Sequence, residues 1–432
     1  MTRFGFGRAG AFLAIALALI PAPAAQSWRG PALASFDEVW TTINETFYDP
    51  TFGGLDWAAV GRELRPKVEA AASPEEARAV IRDLLARLKR SHFVLLSGSS
   101  ADALPGPAVI PADIRITTEG ALVTRVTDAA ATTAGLAAGQ MLIAIDGRDV
   151  ADLIARAEGS DPRTKNLDAW RRVNQALHGA DGSIAALRVR GIDAKTGELN
   201  VARSLGSGEV VTLGNLPPLR VEFLSRELQT PAGKRAGLIA FSVWMTAIGD
   251  RFEQAIDRFR QHDGLVIDLR GNPGGLAGMM GAISGHVIAE RLLLGTMRTR
   301  QANLEFRVNP RLATSDGRRV QVYAGPVALL VDELTGSTSE TFAGALQSLG
   351  RARVLGRPTM GQALPALTKQ LSNGDVLLHA IGDFVTSTGK SLEGAGVIPD
   401  VAVPLSPKAL AEGRDETLEA ALRWFDTVKR GR

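Results

Sequence analysis

Apolar residues between positions 33 and 95 recur at the spacing of an amphipathic helix. Ser73-Pro74-Glu75-Glu76 combines an N-cap serine, a proline at the first helical position and a glutamate at the third. The positions that then repeat on one face are Ala77, Val80, Ile81, Leu84, Leu85 and Leu88. The pattern predicts a helix that ends at Lys89-Arg90, with Ser91-His92 at the mouth of the loop that follows.

From about residue 106 to residue 205 the pattern changes to short strands and turns. Residues 121–126 and 141–145 are predicted strands, the second closed by the Asp146-Gly147 turn, and residues 134–139 are a predicted short helix that ends in glycine. From about residue 212 onward, apolar strands alternate with helices, which predicts an α/β layered domain. The apolar segments of that region are 237–244, 264–269, 327–331 and 376–379.

The first 24 residues have the three parts of a secretory signal peptide. Arg3 and Arg8 precede the apolar run 11–20, and Ala22-Pro23-Ala24 is a small-x-small cleavage site. The sequence therefore predicts a periplasmic or secreted protein without a membrane span after cleavage, and an uncleaved N-terminal anchor is the alternative. Residues 5–10 match the spacing of a dinucleotide-binding loop, but they follow no strand, so we reject that interpretation.

Composition excludes several classes of function. Removing Arg3 and Arg8 leaves 47 basic and 46 acidic side chains, so overall charge gives no reason to expect nucleic acid as a partner. The protein has no cysteine, which excludes disulfides, cysteine nucleophiles and iron–sulfur clusters. No two of its five histidines are four residues apart, which gives a histidine metal site little support.

Two polar or glycine-rich turns follow apolar strands, where α/β domains place their sites. The first is Asp268-Leu269-Arg270-Gly271-Asn272-Pro273-Gly274-Gly275, and the second is Asp332-Glu333-Leu334-Thr335-Gly336-Ser337-Thr338-Ser339-Glu340. Ser337 to Glu340 is also a capping-box sequence, so Ser337 has two interpretations. It is either a helix cap or a nucleophile at a helix N-terminus, where free N–H groups stabilise an oxyanion.

These two turns together resemble the tail-specific, or C-terminal processing, serine protease family. The resemblance extends over about residues 35 to 425, through Trp40 to Trp57 and the segment 393–400, Glu-Gly-Ala-Gly-Val-Ile-Pro-Asp. It implies an α/β fold with a crotonase-like (ClpP/crotonase-type) protease core at 212–432, an N-terminal helical domain at 30–103 and an inserted PDZ-like domain at 106–205. Such PDZ domains bind an extended peptide, often the C-terminus of a polypeptide, by strand addition.

The family has two catalytic arrangements, and the sequence distinguishes them. In the Ser–Lys branch a lysine lies 25 residues after the nucleophile, and here that position is Gln362. An amide cannot take the hydroxyl proton. The protein instead resembles the branch that contains the tricorn protease core and the interphotoreceptor retinoid-binding repeats, whose proteases use a Ser-His-Ser-Glu tetrad.

That branch implies Ser337 as nucleophile, His92 as general base, and Ser91 and Glu393 as the groups that orient the base. Backbone N–H groups of Gly275 or Gly274, together with Thr338, would form the oxyanion hole, with Gly275 slightly preferred. The resemblance implies a polypeptide substrate and no metal, nucleotide or other cofactor, and it is compatible with an oligomer.

The leading hypothesis is an exported serine endopeptidase that acts on unstructured polypeptides or C-terminal tails. The second is a catalytically silent binding protein of the same fold for peptides or small lipophilic ligands. A crotonase-like acyl-CoA enzyme is the third, but it explains neither the leader nor the PDZ-like segment. A resting form that holds His92 away from Ser337 is a further hypothesis within the first.

Overall fold

The computed structural model describes residues 28–97, 105–212, 218–314 and 316–428. The predicted signal peptide at 1–24 lies outside these residues. Within the described ranges, no helix has both the length and the apolar character needed to cross a bilayer.

The secondary structure alternates between helices and strands along the whole sequence. The helices are α1 Arg29–Thr46, α2 Trp57–Ala70, α3 Pro74–Ala86, α4 Ala129–Thr133, α5 Val150–Ala155, α6 Pro162–Leu177, α7 Gly249–Phe259, α8 Met279–Ser284, α9 Thr338–Ser348, α10 Pro407–Ala411 and α11 Glu416–Thr427. The first strands are β1 Val94–Leu96, β2 Ala112–Thr117, β3 Gly120–Val126, β4 Met141–Ile145, β5 Arg148–Asp149, β6 Ile184–Arg190, β7 Thr196–Ala202, β8 Glu209–Val211, β9 Leu219–Val221 and β10 Phe223–Gln229. The remaining strands are β11 Arg235–Phe241, β12 Gly264–Asp268, β13 Leu293–Thr299, β14 Asn303–Arg307, β15 Val327–Val331, β16 Ala352–Gly356, β17 Ala366–Gln370, β18 Val376–Ala380, β19 Gly382–Thr386 and β20 Val401–Ala402.

The central sheet has the strand order β10-β11-β12-β15-β16-β20. All neighbouring pairs are parallel except β10–β11. β12 and β15 are apolar and almost fully buried, because helices and loops cover both faces of a parallel sheet. Their carboxyl ends meet at one edge, so the turns that follow them are neighbours. The α/β architecture expected for this region is therefore confirmed.

The segment that we call the inserted unit (residues 106–205) forms a separate antiparallel sheet of order β2-β3-β4-β6-β7. Its apolar core is closed by one face of α6, through Ala169, Val173, Ala176 and Leu177.

The prediction of a helix at residues 134–139 is wrong. The backbone instead forms α4 at Ala129–Thr133, where the Asp128 side chain accepts from the Ala130 N–H, and Gly135 at φ 95° follows the helix.

The helices at the N-terminus pack onto the C-terminal third of the sequence. α3 begins where predicted, with the Ser73 side chain accepting from the Glu76 N–H. The loop after it leads into β1, which pairs antiparallel with β18. Residues 94–96 are therefore held against this distant segment, although some 280 residues separate β1 from β18 in sequence.

A buried ion pair fixes this packing. Arg78 on α3 makes a bidentate contact with Asp375, at 2.8 Å from Nε to Oδ2 and 3.1 Å from Nη2 to Oδ1. We expect Arg78→Met to lower the free energy of unfolding by about 3 kcal/mol, because it removes a bidentate guanidinium from a buried carboxylate. Urea unfolding measures the effect, and Arg65→Met is the control, since Arg65 pairs with Asp37 in solvent. Equal effects of the two substitutions would contradict the prediction.

Candidate active site

The turns after β12 and β15 touch each other at Gly274 and Ser337. A side chain built on Gly274 would place its Cβ 2.6 Å from the Cβ of Ser337, and Gly274 has a φ of 107°. The Thr338 hydroxyl donates to the Gly275 carbonyl at 2.7 Å. The two sequence motifs therefore form one site.

Ser337 lies on a strained turn between β15 and α9. Its backbone has φ 49° and ψ −119°, a conformation that L-residues rarely adopt and that recurs where a nucleophile is exposed between a strand and a helix. Its side chain makes no capping hydrogen bond, so the capping-box interpretation is wrong. The Ser337 N–H donates to the carbonyl of Gln362 at 2.8 Å. Position 362, where the other branch has its lysine, therefore adjoins Ser337.

Glu340, the other end of the capping-box sequence, holds a different segment. Its carboxylate accepts from the N–H groups of Gly361 at 2.6 Å and Gln362 at 2.9 Å, and from the Thr359 hydroxyl. Burial raises the pKa of Glu340 to about 7, against the hydrogen bonds, which lower it. Glu340 therefore holds Gln362 in place, and the carbonyl of Gln362 accepts from the Ser337 N–H.

The hydrogen bonds of the N–H groups of Gly274 and Gly275 show which of the two could contribute to an oxyanion hole. The Gly274 N–H donates to Asn272 Oδ1 at 3.0 Å and is thus already used. Within the described residues, the N–H groups of Gly275 and Thr338 have no hydrogen-bond acceptor. An oxyanion site needs such free, preorganised donors, so the geometry favours Gly275 over Gly274.

Sequence reasoning missed two residues that shape this hole. Asn272 is fully buried, donates from Nδ2 to the Phe241 carbonyl at 2.8 Å and accepts from the Gly336 N–H at its own carbonyl. Trp244 is buried and donates from Nε1 to Ser339 Oγ at 2.8 Å. Asn272 lies inside a recognised motif and could have been noticed, whereas no pattern marks Trp244.

Ser91, His92 and Glu393 form a hydrogen-bonded relay. Ser91 Oγ lies 2.8 Å from His92 Nδ1 and donates to Glu393 Oε2 at 2.9 Å, and the Ser91 N–H donates to Glu393 Oε1 at 2.9 Å. Burial raises the pKa of Glu393, and the bonds from Ser91 oppose this rise. The three predicted partners are thus adjacent, and His92 itself has a φ of 60°.

This relay fixes the tautomer of His92. A hydroxyl carries one proton, and that of Ser91 is directed to Glu393, so Ser91 Oγ must accept from an Nδ1–H. The Nε2 lone pair is then available to take a proton. Burial lowers the pKa of His92 to about 4, and the positive charge of Arg171 contributes to this shift. The imidazole is therefore neutral at neutral pH.

His92 and Ser337 are connected only indirectly, through a series of hydrogen bonds. Glu393 Oε2, which accepts from Ser91, also accepts from the Ala363 N–H at 3.1 Å, and the preceding Gln362 carbonyl receives the Ser337 N–H. No hydrogen bond joins His92 to Ser337 in the part of the protein that the structure describes. The same part contains no group of three acidic or histidine side chains that could hold a metal ion.

Asp332 ties both turns to the inserted unit. Its carboxylate accepts from the Gly271 N–H at 2.8 Å and the Leu334 N–H at 3.1 Å, and pairs with Arg115 of β2 at 2.7 Å. Burial alone would raise the pKa of Asp332, but the guanidinium groups of Arg115 and Arg357 bring it below its ordinary value.

Comparison with known proteins finds matches over two segments of the chain. Residues 235–403 match the model of peptidase family S41, and residues 33–86 match that of the tricorn protease C1 domain. The chain therefore contains a peptidase family S41 domain at residues 235–403. Its similarity to proteins named carboxyl-terminal-processing protease and CtpA-like serine protease supports a serine-type peptidase.

Two relatives and one solved structure illustrate the match. The chain is 28% identical to tricorn protease homolog 2 of Streptomyces coelicolor over 93% of its own length, but it spans only 32% of that relative. It is 24% identical to the carboxyl-terminal-processing protease of Picosynechococcus, and the match covers 88% of this chain and 85% of the other. The photosystem II D1 C-terminal processing protease shares the fold, with a TM-score of 0.56, 22% identity and coverage of 91% and 96%.

We expect Gly274→Ala to lower kcat for peptide hydrolysis at least about 100-fold, because the added methyl group must displace Ser337 from its position. The control is Gly278→Ala in the same segment, where φ is −58° and no atom lies within 4 Å of the new Cβ. Peptide cleavage rates and circular dichroism measure activity and folding. Equal rates for the two variants would show that the contact with Ser337 does not matter.

Proposed function

We propose that this protein is an exported serine endopeptidase that hydrolyses unstructured polypeptides or C-terminal tails, with Ser337 as nucleophile and His92 as general base. The observation that carries the proposal is the relay Glu393–Ser91–His92, which leaves the Nε2 lone pair of the imidazole available, in a segment that hydrogen bonds connect to an uncapped Ser337. A base of this kind is what a serine hydroxyl needs, because the hydroxyl is a weak nucleophile at its own pKa.

The mechanism follows from these positions. His92 Nε2 takes the Ser337 proton as Oγ attacks the substrate carbonyl, and the oxyanion receives hydrogen bonds from the N–H groups of Gly275 and Thr338. The imidazolium is stabilised through Ser91 by the Glu393 carboxylate. It then gives its proton to the leaving amine, and water hydrolyses the acyl-enzyme by the same steps in reverse order.

The site as described corresponds to a resting state in this proposal. Apo geometries are often looser than those of the Michaelis complex, and His92 must approach Ser337 when a polypeptide binds. The inserted unit would act as a PDZ-like domain that binds an extended polypeptide end. The central sheet and the helices that cover it, which we call the central unit, would be the crotonase-like protease core. The predicted leader supports export to the periplasm or the medium.

One observation favours a second candidate. Because His92 is not hydrogen-bonded to Ser337, a protein that binds peptides or small lipophilic molecules without cleaving them is also compatible with the site. This candidate predicts that peptides are retained intact by the unmodified protein.

The first test is cleavage of a pool of unstructured peptides, read by mass spectrometry. We expect Ser337→Ala and His92→Ala each to lower the cleavage rate by at least about 1,000-fold. The controls are Ser348→Ala at the other end of α9, and His178→Ala, whose ring is hydrogen-bonded to the Asn174 carbonyl of its own helix. Cleavage that survives Ser337→Ala would exclude Ser337 as the nucleophile, and intact peptides with the unmodified protein would support the binding protein.

The pH dependence of kcat/KM tests the base. His92 acts only when neutral, and its lowered pKa keeps it neutral at more acidic pH. We therefore expect the acidic limb of the profile near pH 4 rather than near 6.5, with folding checked by circular dichroism. Glu340 also titrates, with a pKa of about 7, so the profile is repeated in Glu340→Gln. A limb near pH 7 that disappears in that variant would belong to Glu340 and contradict the prediction.

A further inference from the structure

Trp244 pairs with the segment that carries the candidate oxyanion donor of Gly275. Its N–H donates to the Gly274 carbonyl at 2.8 Å, and its own carbonyl accepts from the Leu276 N–H at 2.8 Å. These two bonds form a short parallel bridge in which Gly275 lies opposite Trp244. In such a pair the residue between the two bonds directs its own N–H and carbonyl away from the partner strand. The backbone of Trp244 therefore sets the direction of the Gly275 N–H.

The first turn of α9 lies on that other side of Gly275. The Gly275 carbonyl accepts there from the Thr338 hydroxyl at 2.7 Å. Because the N–H and the carbonyl of one strand residue point the same way, the Gly275 N–H is also directed toward α9. Thr338 is the first residue of that helix, so the two candidate oxyanion donors meet at its N-terminus.

The side chain of Trp244 reaches the same turn of α9. Nε1 donates to Ser339 Oγ at 2.8 Å, and both side chains are fully buried. The indole ring packs edge-on against Phe241 and tilted against Phe342 of α9, with centroid separations of 5.1 and 5.0 Å. A buried indole N–H that loses its acceptor is unfavourable, so α9 cannot shift relative to Trp244 without cost. Trp244 therefore holds the helix turn with its side chain and Gly275 with its backbone.

We propose that Trp244 is a positioning residue that sets the spacing between the N–H groups of Gly275 and Thr338, so that both reach one oxyanion. It acts through these two residues and not on the substrate. The inference rests on the proposed function, since the oxyanion forms only when Ser337 attacks a substrate carbonyl. Two donors stabilise that state fully only when both lie at hydrogen-bond distance from the place that the oxyanion will occupy.

The substitution Trp244→Phe tests the side-chain contact by itself. It keeps the backbone pairing and an aromatic ring, but it removes the Nε1–H that Ser339 accepts. Trp57→Phe is the matched control, because Trp57 is 3% exposed and its Nε1 donates to the Trp40 carbonyl at 3.1 Å among the N-terminal helices. Each substitution deletes one indole donor, so a general loss of stability affects both variants. Circular dichroism and urea unfolding check the folding of each.

The constants kcat and KM are measured on the full-length protein with a peptide that it cleaves from the unstructured pool. We expect Trp244→Phe to lower kcat about 10- to 100-fold and to leave KM within about twofold, because the contact matters only when the oxyanion forms. The boronic acid analogue of that peptide, which forms a tetrahedral adduct with a serine nucleophile, should bind at least about 10-fold more weakly. Trp57→Phe should leave all of these quantities within about twofold.

Ser339→Ala removes the other end of the same hydrogen bond. It should reproduce the loss in kcat, and the double substitution with Trp244→Phe should be no worse than either single one, within about twofold. If Trp244 acted only by filling space, the two losses would multiply. Ser339→Ala also provides the test if Trp244→Phe does not fold.

The inference is overturned if Trp244→Phe and Trp57→Phe lower kcat equally, if the loss appears in KM alone, or if the losses of Trp244→Phe and Ser339→Ala multiply. Cleavage by the unmodified protein together with full activity of Trp244→Phe would reject the positioning role and keep the peptidase. An unmodified protein that cleaves no peptide of the pool would reject the proposed peptidase and this inference together.

Discussion

The buried carboxylate of Asp332 is the interaction on which the geometry of the site depends. A desolvated charge is tolerated only where it is paired and hydrogen-bonded on all sides. Asp332 meets this condition with the Gly271 N–H, the Leu334 N–H and the guanidinium of Arg115. The turns that follow β12 and β15 therefore share one anchor. Neither turn can shift without breaking a hydrogen bond to this buried carboxylate. This constraint maintains the close approach of Gly274 to Ser337.

The inserted unit meets the central unit through contacts of unequal strength. Arg115 is buried with Asp332, and breaking a pair of this kind costs several kcal/mol. The Arg163 bond to the Gly394 carbonyl is exposed, and Arg171 makes no bond within the described residues. The beginning of α6 is therefore held to the rest of the protein more weakly than β2 is.

Much of this arrangement could be predicted from sequence, because runs of apolar residues in the sequence coincide with the strands that are buried in the structure. β12 and β15 are continuous apolar runs, and their ends were predicted to within a residue. The segment 134–139 was wrongly predicted as a helix because Gly135 and Gly139 have positive φ values of 95° and 88°, which interrupt a helix, and because the Asp128 cap starts the helix upstream of it. The choice between Gly274 and Gly275 depends on which N–H Asn272 occupies, and that contact is a property of the folded protein.

The sequence Ser337-Thr338-Ser339-Glu340 shows why a local motif alone does not establish the structural role of a residue. The oxygen of a capping serine would accept from the N–H groups of the first helical turn, and those groups would then be unavailable to a substrate. Here the positive φ of Ser337 excludes the cap, and the N–H groups of the 361–362 turn attract Glu340 instead. Without the cap, the Ser337 hydroxyl has no backbone partner. The N–H of Thr338, the first residue of α9, also has no acceptor among the residues described, although a cap would bond the second or third N–H rather than this one. Loss of the cap is thus the structural condition for a free hydroxyl beside a free N–H at this helix N-terminus.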